Sequence, residues 1–316
     1  MDEKLKGSIL HLAILLGLII ALVVVLVYTG LLSCGVVPGG CELYYQFIKG
    51  GPPQVLIAYN DSGGLGNPVA LAAVLSNREL LSARVKAMPM DRLTNGNIGE
   101  YDMVIVESAR KICTSQLNTF MYYVNTGGRL VWTGDAGTVP CEGDELLKDN
   151  ERNEEGKDQT IGSWARKDEG GKQVNFDEFL GASYIGNRCS MTECRKGELA
   201  GFIEVVTPEN RLVYGLSPTV PFHGDFSVVQ LNDQTYTRLV AALDYGSDFI
   251  VEKQDAALPG TGQRQSLGRK LPFIVSSQVG DRVAYYAAPI ESFVSDEQPQ
   301  KYKALVEQMY YGMLYK

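Results

Sequence analysis

Apolar positions fall along this chain in three regimes. The first is the run SILHLAILLGLIIALVVVLVYTGLLS from Ser8 to Ser33, which carries no formal charge when His11 is neutral. As a helix it would extend ~39 Å, at about 1.5 Å per residue. A hydrocarbon core is ~30 Å thick, so the run can span one with tilt or frayed ends. The apolar core of a secretory signal is shorter, about 7–15 residues. The run therefore reads as a retained transmembrane helix over 8–33.

The second regime begins at Gln54, where short apolar runs alternate with helical patterns. QVLIAY (Gln54–Tyr59) ends at the turn-like NDSGGLGNP. Asn67 can cap a helix with Pro68 at its first position, and VALAAVLSNRELL continues it. RVKAM (84–88) and DMVIV (102–106) read as strands. Thr114–Asn125 places Leu117, Phe120, Met121 and Val124 on one helical face, ending at Gly127-Gly128. RLVWT (129–133) is the next strand. Strands alternating with helices predict an α/β domain with a flavodoxin-like, mostly parallel sheet and helices on both faces. Continuous apolar strands fit a sheet buried on both sides.

The third regime is irregular. Residues 142–158 carry eight acids against three bases, the signature of a solvated surface insertion. It lies within a larger insertion at about 140–198. Residues 199–215 and 226–231 read as strands, 236–243 as a short helix or a strand, and 252–270 as an inserted loop. Strands at 272–277 and 282–288 flank a turn containing Gly280-Asp281. A closing helix carries Leu305, Val306, Met309, Tyr310, Met313 and Leu314 at helical spacing, as core packing requires.

Charge and cysteine placement add an orientation. Lys4, Lys6 and the α-amine precede the apolar run, and the first basic residue after it is Lys49. The positive-inside rule then makes 1–7 cytoplasmic and everything after the helix extracytoplasmic. Residues 34–53, with GVVPGG and KGGPP around CELYYQFI, read as a stalk, and 54–316 as one folded body large enough for a well-buried core. The expected location is the cell membrane, single-pass, with lipid contact through residues 8–33. Two processing alternatives stay open. Leu31-Leu32-Ser33-Cys34 resembles a lipobox. Lys6-Gly7-Ser8 resembles a type IV prepilin cleavage site, although Leu12 stands where such pilins carry a glutamate.

All six cysteines follow the apolar run, and an even count outside a membrane points to disulfides. Spacing favours Cys34–Cys41 around GVVPGG and Cys189–Cys194 around SMTE, which leaves Cys113 with Cys141. There is no Cys-x-x-Cys, and His11 and His223 are the two histidines, so a zinc site is not expected. No calcium-loop pattern is present, and no metal or cofactor is expected. The net charge of −8 argues against a nucleic-acid partner. That charge belongs to the outer part, because Asp2 and Glu3 cancel Lys4 and Lys6.

The chain resembles the class I glutamine amidotransferase-like superfamily. The resemblance lies in QVLIAY with its glycine-rich loop, in Tyr101–Val106, and in the helix leading to Gly127-Gly128-Arg129-Leu130-Val131. It continues through Thr133-Gly134-Asp135-Ala136-Gly137 and the late strand Arg282–Pro289. Arg211–Leu216 resembles a segment of relatives akin to trehalose-utilisation proteins. The resemblance implies a flavodoxin-like domain, in a group that includes non-enzymatic extracellular members. Active members place a cysteine nucleophile in a G-x-C-x-G turn, beside backbone donors for an oxyanion. Here the matching position is Asp135. They also supply an activating histidine, where this chain reads Ala287-Ala288-Pro289-Ile290-Glu291. Both roles are vacant, so glutaminase activity is not expected.

Ligands of open α/β sheets bind beyond the carboxyl ends of the strands, at the topological switch point. That edge should carry Asn60, Asp61, Ser62, Gly64, Glu107, Ser108 and Asp135, with the loop glycines able to offer N–H groups to an anion. Asp61, Glu107 and Asp135 form a candidate carboxylate cluster for acid–base chemistry or a metal. Gly64-Leu65-Gly66 matches half of a dinucleotide fingerprint, with Val69 in place of the third glycine. Asn60-Asp61-Ser62 is a glycosylation sequon. His223 is a candidate partner for Ser62 or Ser108. The leading expectation is a membrane-anchored binding or scaffolding module with a protein partner at the cell surface. The alternatives are an extracytoplasmic hydrolase and a pilin-like filament subunit.

Overall fold

The computed structural model describes residues 3–28, 45–46, 50–77, 83–152, 158–195, 197–213, 216–232, 235–253, 263–293, 309–310 and 312–314. The chain divides into two units, Met1–Pro52 with Tyr315–Lys316, and Pro53–Leu314.

The first unit holds one continuous helix, Glu3–Tyr28. Within it Ser8–Leu26 has a mean hydropathy of 3.2, and none of that stretch is buried. A helix apolar on every side and exposed is suited to lipid, not to water. Among the described residues it is the one helix long and apolar enough to cross a membrane. Residues 29–33 of the predicted span lie outside the described residues. So do Cys34 and Cys41.

The second unit is built on a nine-stranded mixed sheet. In chain order its first strands are β1 (Gln54–Tyr59), β2 (Arg84–Pro89), β3 (Met103–Val106) and β4 (Leu130–Thr133). Five short strands follow: β5 (Glu145–Leu146), β6 (Lys148–Arg152), β7 (Asp158–Thr160), β8 (Ala165–Lys167) and β9 (Gln173–Asn175). Next come β10 (Ala182–Asn187), β11 (Leu199–Val205), β12 (Thr219–His223), β13 (Ser227–Leu231) and β14 (Arg238–Asp244). The last are β15 (Ile250–Lys253), β16 (Gln263–Ser266), β17 (Lys270–Ser277) and β18 (Val283–Tyr286).

The large sheet runs β12-β11-β14-β17-β18-β4-β3-β1-β2. From β2 to β18 the neighbours are parallel, and from β18 to β12 they are antiparallel. The parallel half has the order 2-1-3-4 followed by the late strand β18, which puts a switch point between β1 and β3. The expectation of a mostly parallel sheet is corrected: four of the eight pairings are antiparallel. After β4 the chain returns to the sheet through β11, β12, β14 and the β17–β18 hairpin; the short turn between β17 and β18 imposes antiparallel pairing there, and longer excursions bring back the others.

The core strands are buried on both faces. Val55–Ala58, Met103–Val106 and Leu130–Trp132 have no exposed surface. Helix Pro68–Ser76 begins as the sequence predicts, with the Asn67 side chain accepting from Val69 N and Ala70 N. Helix Thr114–Asn125 buries Leu117, Phe120 and Val124. Tyr123 joins that face instead of Met121, because its hydroxyl reaches the Tyr101 carbonyl at 2.8 Å. Between β2 and β3 there are a 3₁₀ turn, Met90–Arg92, and a short helix, Asn95–Ile98.

The insertion at 140–198 is partly core. Trp164, Arg166, Phe176 and Asp177 are fully buried. Phe176 stacks on Trp132 at 4.8 Å, and both tryptophans donate to the Ala136 carbonyl. The Arg166 guanidinium donates to the Ile112 and Gly137 carbonyls. Disulfides join Cys113 to Cys141 and Cys189 to Cys194 as the spacing predicts. The predicted strand 199–215 stops at Val205, and turns occupy 211–213. Of the segment 236–243, predicted as helix or strand, residues 238–243 belong to strand β14 and 236–237 precede it. The predicted 252–270 loop takes in the end of β15 and all of β16, which pair with each other. At the C-terminus Met309, Tyr310, Met313 and Leu314 are buried, and Leu305 and Val306 lie outside the described residues.

Candidate functional site

The switch point is framed by two loops that leave β1 and β3 side by side. Asn60 N donates to the Ser108 carbonyl, Ser108 N to the Leu65 carbonyl and Arg110 N to the Gly63 carbonyl. An isolated parallel bridge between Gly63 and Ala109 continues the β1–β3 pairing beyond the strands. Ser108 takes φ +47°. A non-glycine residue in that region costs about 1–3 kcal/mol, so the loop contacts hold a strained turn in place.

Asn60, Asp61 and Ser62 sit together at this edge, but two of the three side chains are engaged by the loop itself. Asn60 Nδ2 donates to the Lys111 carbonyl at 2.6 Å. Asn60 Oδ1 accepts from Ser62 N and from the Ser62 hydroxyl. Lys111 N donates to Ser62 Oγ at 2.8 Å. The sequon amide and the candidate serine therefore act as turn-closing groups. Asp61 is exposed.

The three acids do not converge. Asp135, which follows β4, is 1% exposed, and its two carboxylate oxygens face the β1 loop and the insertion. Oδ1 accepts from Leu65 N at 2.7 Å. Oδ2 accepts from Asn187 Nδ2 at 2.9 Å and pairs with Arg110 Nε at 3.2 Å. Asn187 Oδ1 in turn accepts from Tyr184 and Ser227 hydroxyls. Gly64 is required here: with φ +127°, a Cβ would stand 2.9 Å from Asp135 Oδ1.

Glu107 has different company. It is fully buried at the end of β3, and neither carboxyl oxygen has a hydrogen-bond partner. Its neighbour is Glu291, on the 3₁₀ turn Ile290–Phe293, whose Oε1 accepts from Asn67 N at 2.6 Å. Burial and the adjacent charge hold Glu107 well above the usual carboxylate range, and burial raises Glu291 as well. The Tyr310 hydroxyl is also fully buried without a partner, and both carboxylates act on it.

His223 is on β12, the outermost strand of the antiparallel half, and its Nδ1 contacts the Gly197 carbonyl at 3.1 Å. Among the described residues no hydrogen bond joins it to Ser62 or Ser108. Cys189, Cys194 and Asp225 lie close enough together to share an ion, but the two sulfurs are bonded to each other. The sequence did not single out Arg110, Tyr184, Asn187, Ser227 or Tyr310 as site residues, and it cited Glu291 only as part of the segment lacking a histidine. Asn187 and Tyr184 belong to the insertion, whose path back to the sheet has no sequence signal.

No protein-family model matches the chain, and no curated protein sequence does. Solved structures do. A ThuA-like protein from Bacteroides uniformis superposes with a TM-score of 0.51 at 14% identity, covering 82% of this chain and 90% of that one. A GMP synthase component from Thermoplasma acidophilum gives 0.43 at 11% identity, covering 83% and 94%. A β-galactosidase from Bacillus circulans gives 0.48 at 12% identity; 82% of this chain matches only 30% of that enzyme. The first likeness shows a shared α/β fold. At these identities none of them carries an activity across.

Proposed function

We propose that this protein is a membrane-anchored, extracytoplasmic binding or scaffolding module whose flavodoxin-like domain serves recognition, not amide transfer. The observation that carries the reading is Asp135. It occupies the turn after β4 where amidotransferase-like enzymes hold a nucleophile, and both its oxygens are committed to Leu65, Asn187 and Arg110. A buried carboxylate with such partners ties loops together, and it cannot replace a thiolate as the nucleophile of amide transfer. The segment 287–291 supplies Glu291 but no histidine.

The location is supported by the exposed apolar helix and by two disulfides, which persist in oxidising compartments. The recognition surface in this reading is the exposed part of the switch-point loops, around Asp61, Gly63 and Gly64.

Cross-linking on intact cells, followed by affinity capture from solubilised membranes, tests the proposal. The expected result is a stoichiometric protein partner, lost on substitution of Asp61 and its loop neighbours, and no glutamine hydrolysis. Robust turnover by a solitary monomer overturns it. Protease accessibility on intact cells checks the orientation: the body should be cleaved from outside.

A further inference from the structure

We propose that Glu107, Thr133, Glu291 and Tyr310 form a buried binding site for a divalent, oxygen-ligated cation of the calcium class. The inference concerns a different part of the molecule from the exposed recognition loops and does not depend on them. Its starting point is a set of five buried side-chain oxygens without a hydrogen-bond partner: both of Glu107, Oε2 of Glu291, Oγ1 of Thr133 and the hydroxyl of Tyr310. Native proteins pair nearly all such groups, so each orphan calls for an ion, a water or a strained or catalytic role.

The five belong together. The Glu107 carboxyl lies 3.1 Å from where a Cβ on Gly66 would stand, and Glu291 Oε1 is 2.6 Å from the next residue's amide, Asn67 N. Two carboxyl groups therefore converge on one peptide. Val106 pairs with Trp132 in parallel register, so the next residues, Glu107 and Thr133, are neighbours across the strands and share a face of the pleat. Thr133 pairs in turn with Tyr286, whose ring meets the Tyr310 ring at 5.9 Å. Tyr310 is completely buried, and its hydroxyl is held above the usual range first by burial and then by Glu107, Glu291 and Tyr286.

Residual charge separates the candidate ligands. A proton shared by the two acids, with the protons that the Thr133 and Tyr310 hydroxyls already carry, can pair these oxygens among themselves but leaves one negative charge buried. A divalent cation among them would take carboxylate and hydroxyl oxygens together and cancel both charges. Calcium accepts six to eight oxygens in irregular geometry, including monodentate and bidentate carboxylates, whereas magnesium demands a near-ideal octahedron and keeps its waters. The four residues come from separate elements between positions 107 and 310, which is why no calcium-loop pattern marks them.

The test uses the full chain in detergent micelles, stripped with EGTA and titrated with calcium chloride by equilibrium dialysis, with thermal melts in parallel. We expect a single saturable site with Kd at or below about 1 mM, and a rise in Tm on saturation. Glu107→Gln and Glu291→Gln should each weaken binding by at least about tenfold. If either variant loses its apo circular dichroism, Tyr310→Phe decides, because it removes only a hydroxyl: weaker binding supports the site and unchanged binding overturns it. Folded wild-type protein that takes up no calcium at about 1 mM overturns the proposal. So does unchanged affinity in folded Glu107→Gln, which would assign the ion to the acidic segment at 142–158.

Discussion

Leu65 N donates to Asp135 Oδ1 at 2.7 Å, a bond that closes the β1 loop onto the turn after β4 across 70 residues of sequence. The same carboxylate holds Asn187 from the insertion and Arg110 from the loop after β3. Three segments that share no local sequence thus meet on one buried side chain. Such a group matters most when removed, since its partners are left without acceptors.

Asp135→Ala should destabilise the body by about 2–4 kcal/mol, because Leu65 N and Asn187 Nδ2 lose a buried acceptor. Asp135→Asn should cost less, since its carbonyl oxygen can still serve Leu65 N. Chemical denaturation followed by circular dichroism checks the order of the two variants. Equal stability of Ala and wild type would remove the structural role assigned to Asp135.

Gly64→Ala should destabilise by about 1–3 kcal/mol, from its positive φ and from the 2.9 Å approach of the new Cβ to Asp135 Oδ1 and Arg110 Cγ. Gly63→Ala meets no neighbour within 4 Å and carries only the backbone penalty at φ +73°. Melting the two variants side by side separates crowding from backbone strain. Gly64→Ala should be the less stable.

Asp177 gives a pH dependence of known sign. Burial raises its carboxyl from 3.8 to about 6, against the pull of the Trp164 amide and Arg166. The native state therefore keeps a proton that the unfolded chain has already released. This group's contribution is fully present below about pH 4 and is lost as pH rises to about 6, by on the order of 2–3 kcal/mol. Asp177→Asn keeps an acceptor for Trp164 N and has no charge to bury. Urea denaturation across that window should show the variant gaining on wild type as pH rises. A constant difference between them would refute the assignment.

The two disulfides should differ in weight. Cys113–Cys141 spans 28 residues and Cys189–Cys194 spans five. Loop-closure entropy assigns them about 3–4 and about 2 kcal/mol respectively. Cys113→Ser with Cys141→Ser should therefore lower Tm more than Cys189→Ser with Cys194→Ser. Scanning calorimetry of the paired variants under one buffer condition measures the gap.

Local patterns carried much of this architecture. The charge-free run was legible at once, and within the helix Glu3–Tyr28 the stretch Ser8–Leu26 is long and apolar enough to cross a membrane. QVLIAY, MVIV and LVWT are strands because continuous apolar runs that short are buried on both faces, and Asn67-Pro68 starts a helix by capping chemistry alone. The Cys113–Cys141 and Cys189–Cys194 pairings were legible in the spacing. What only the tertiary structure decided was company. Asp61, Glu107 and Asp135 share one strand edge, yet one is exposed, one meets Glu291 and one meets Asn187. The antiparallel half of the sheet, the burial of Trp164 and Arg166 and the packing of Tyr310 on Tyr286 depend on where long excursions return. Periodicity records how each segment faces its own surroundings, whereas the partners of a buried carboxyl are set by contacts between segments far apart in the chain.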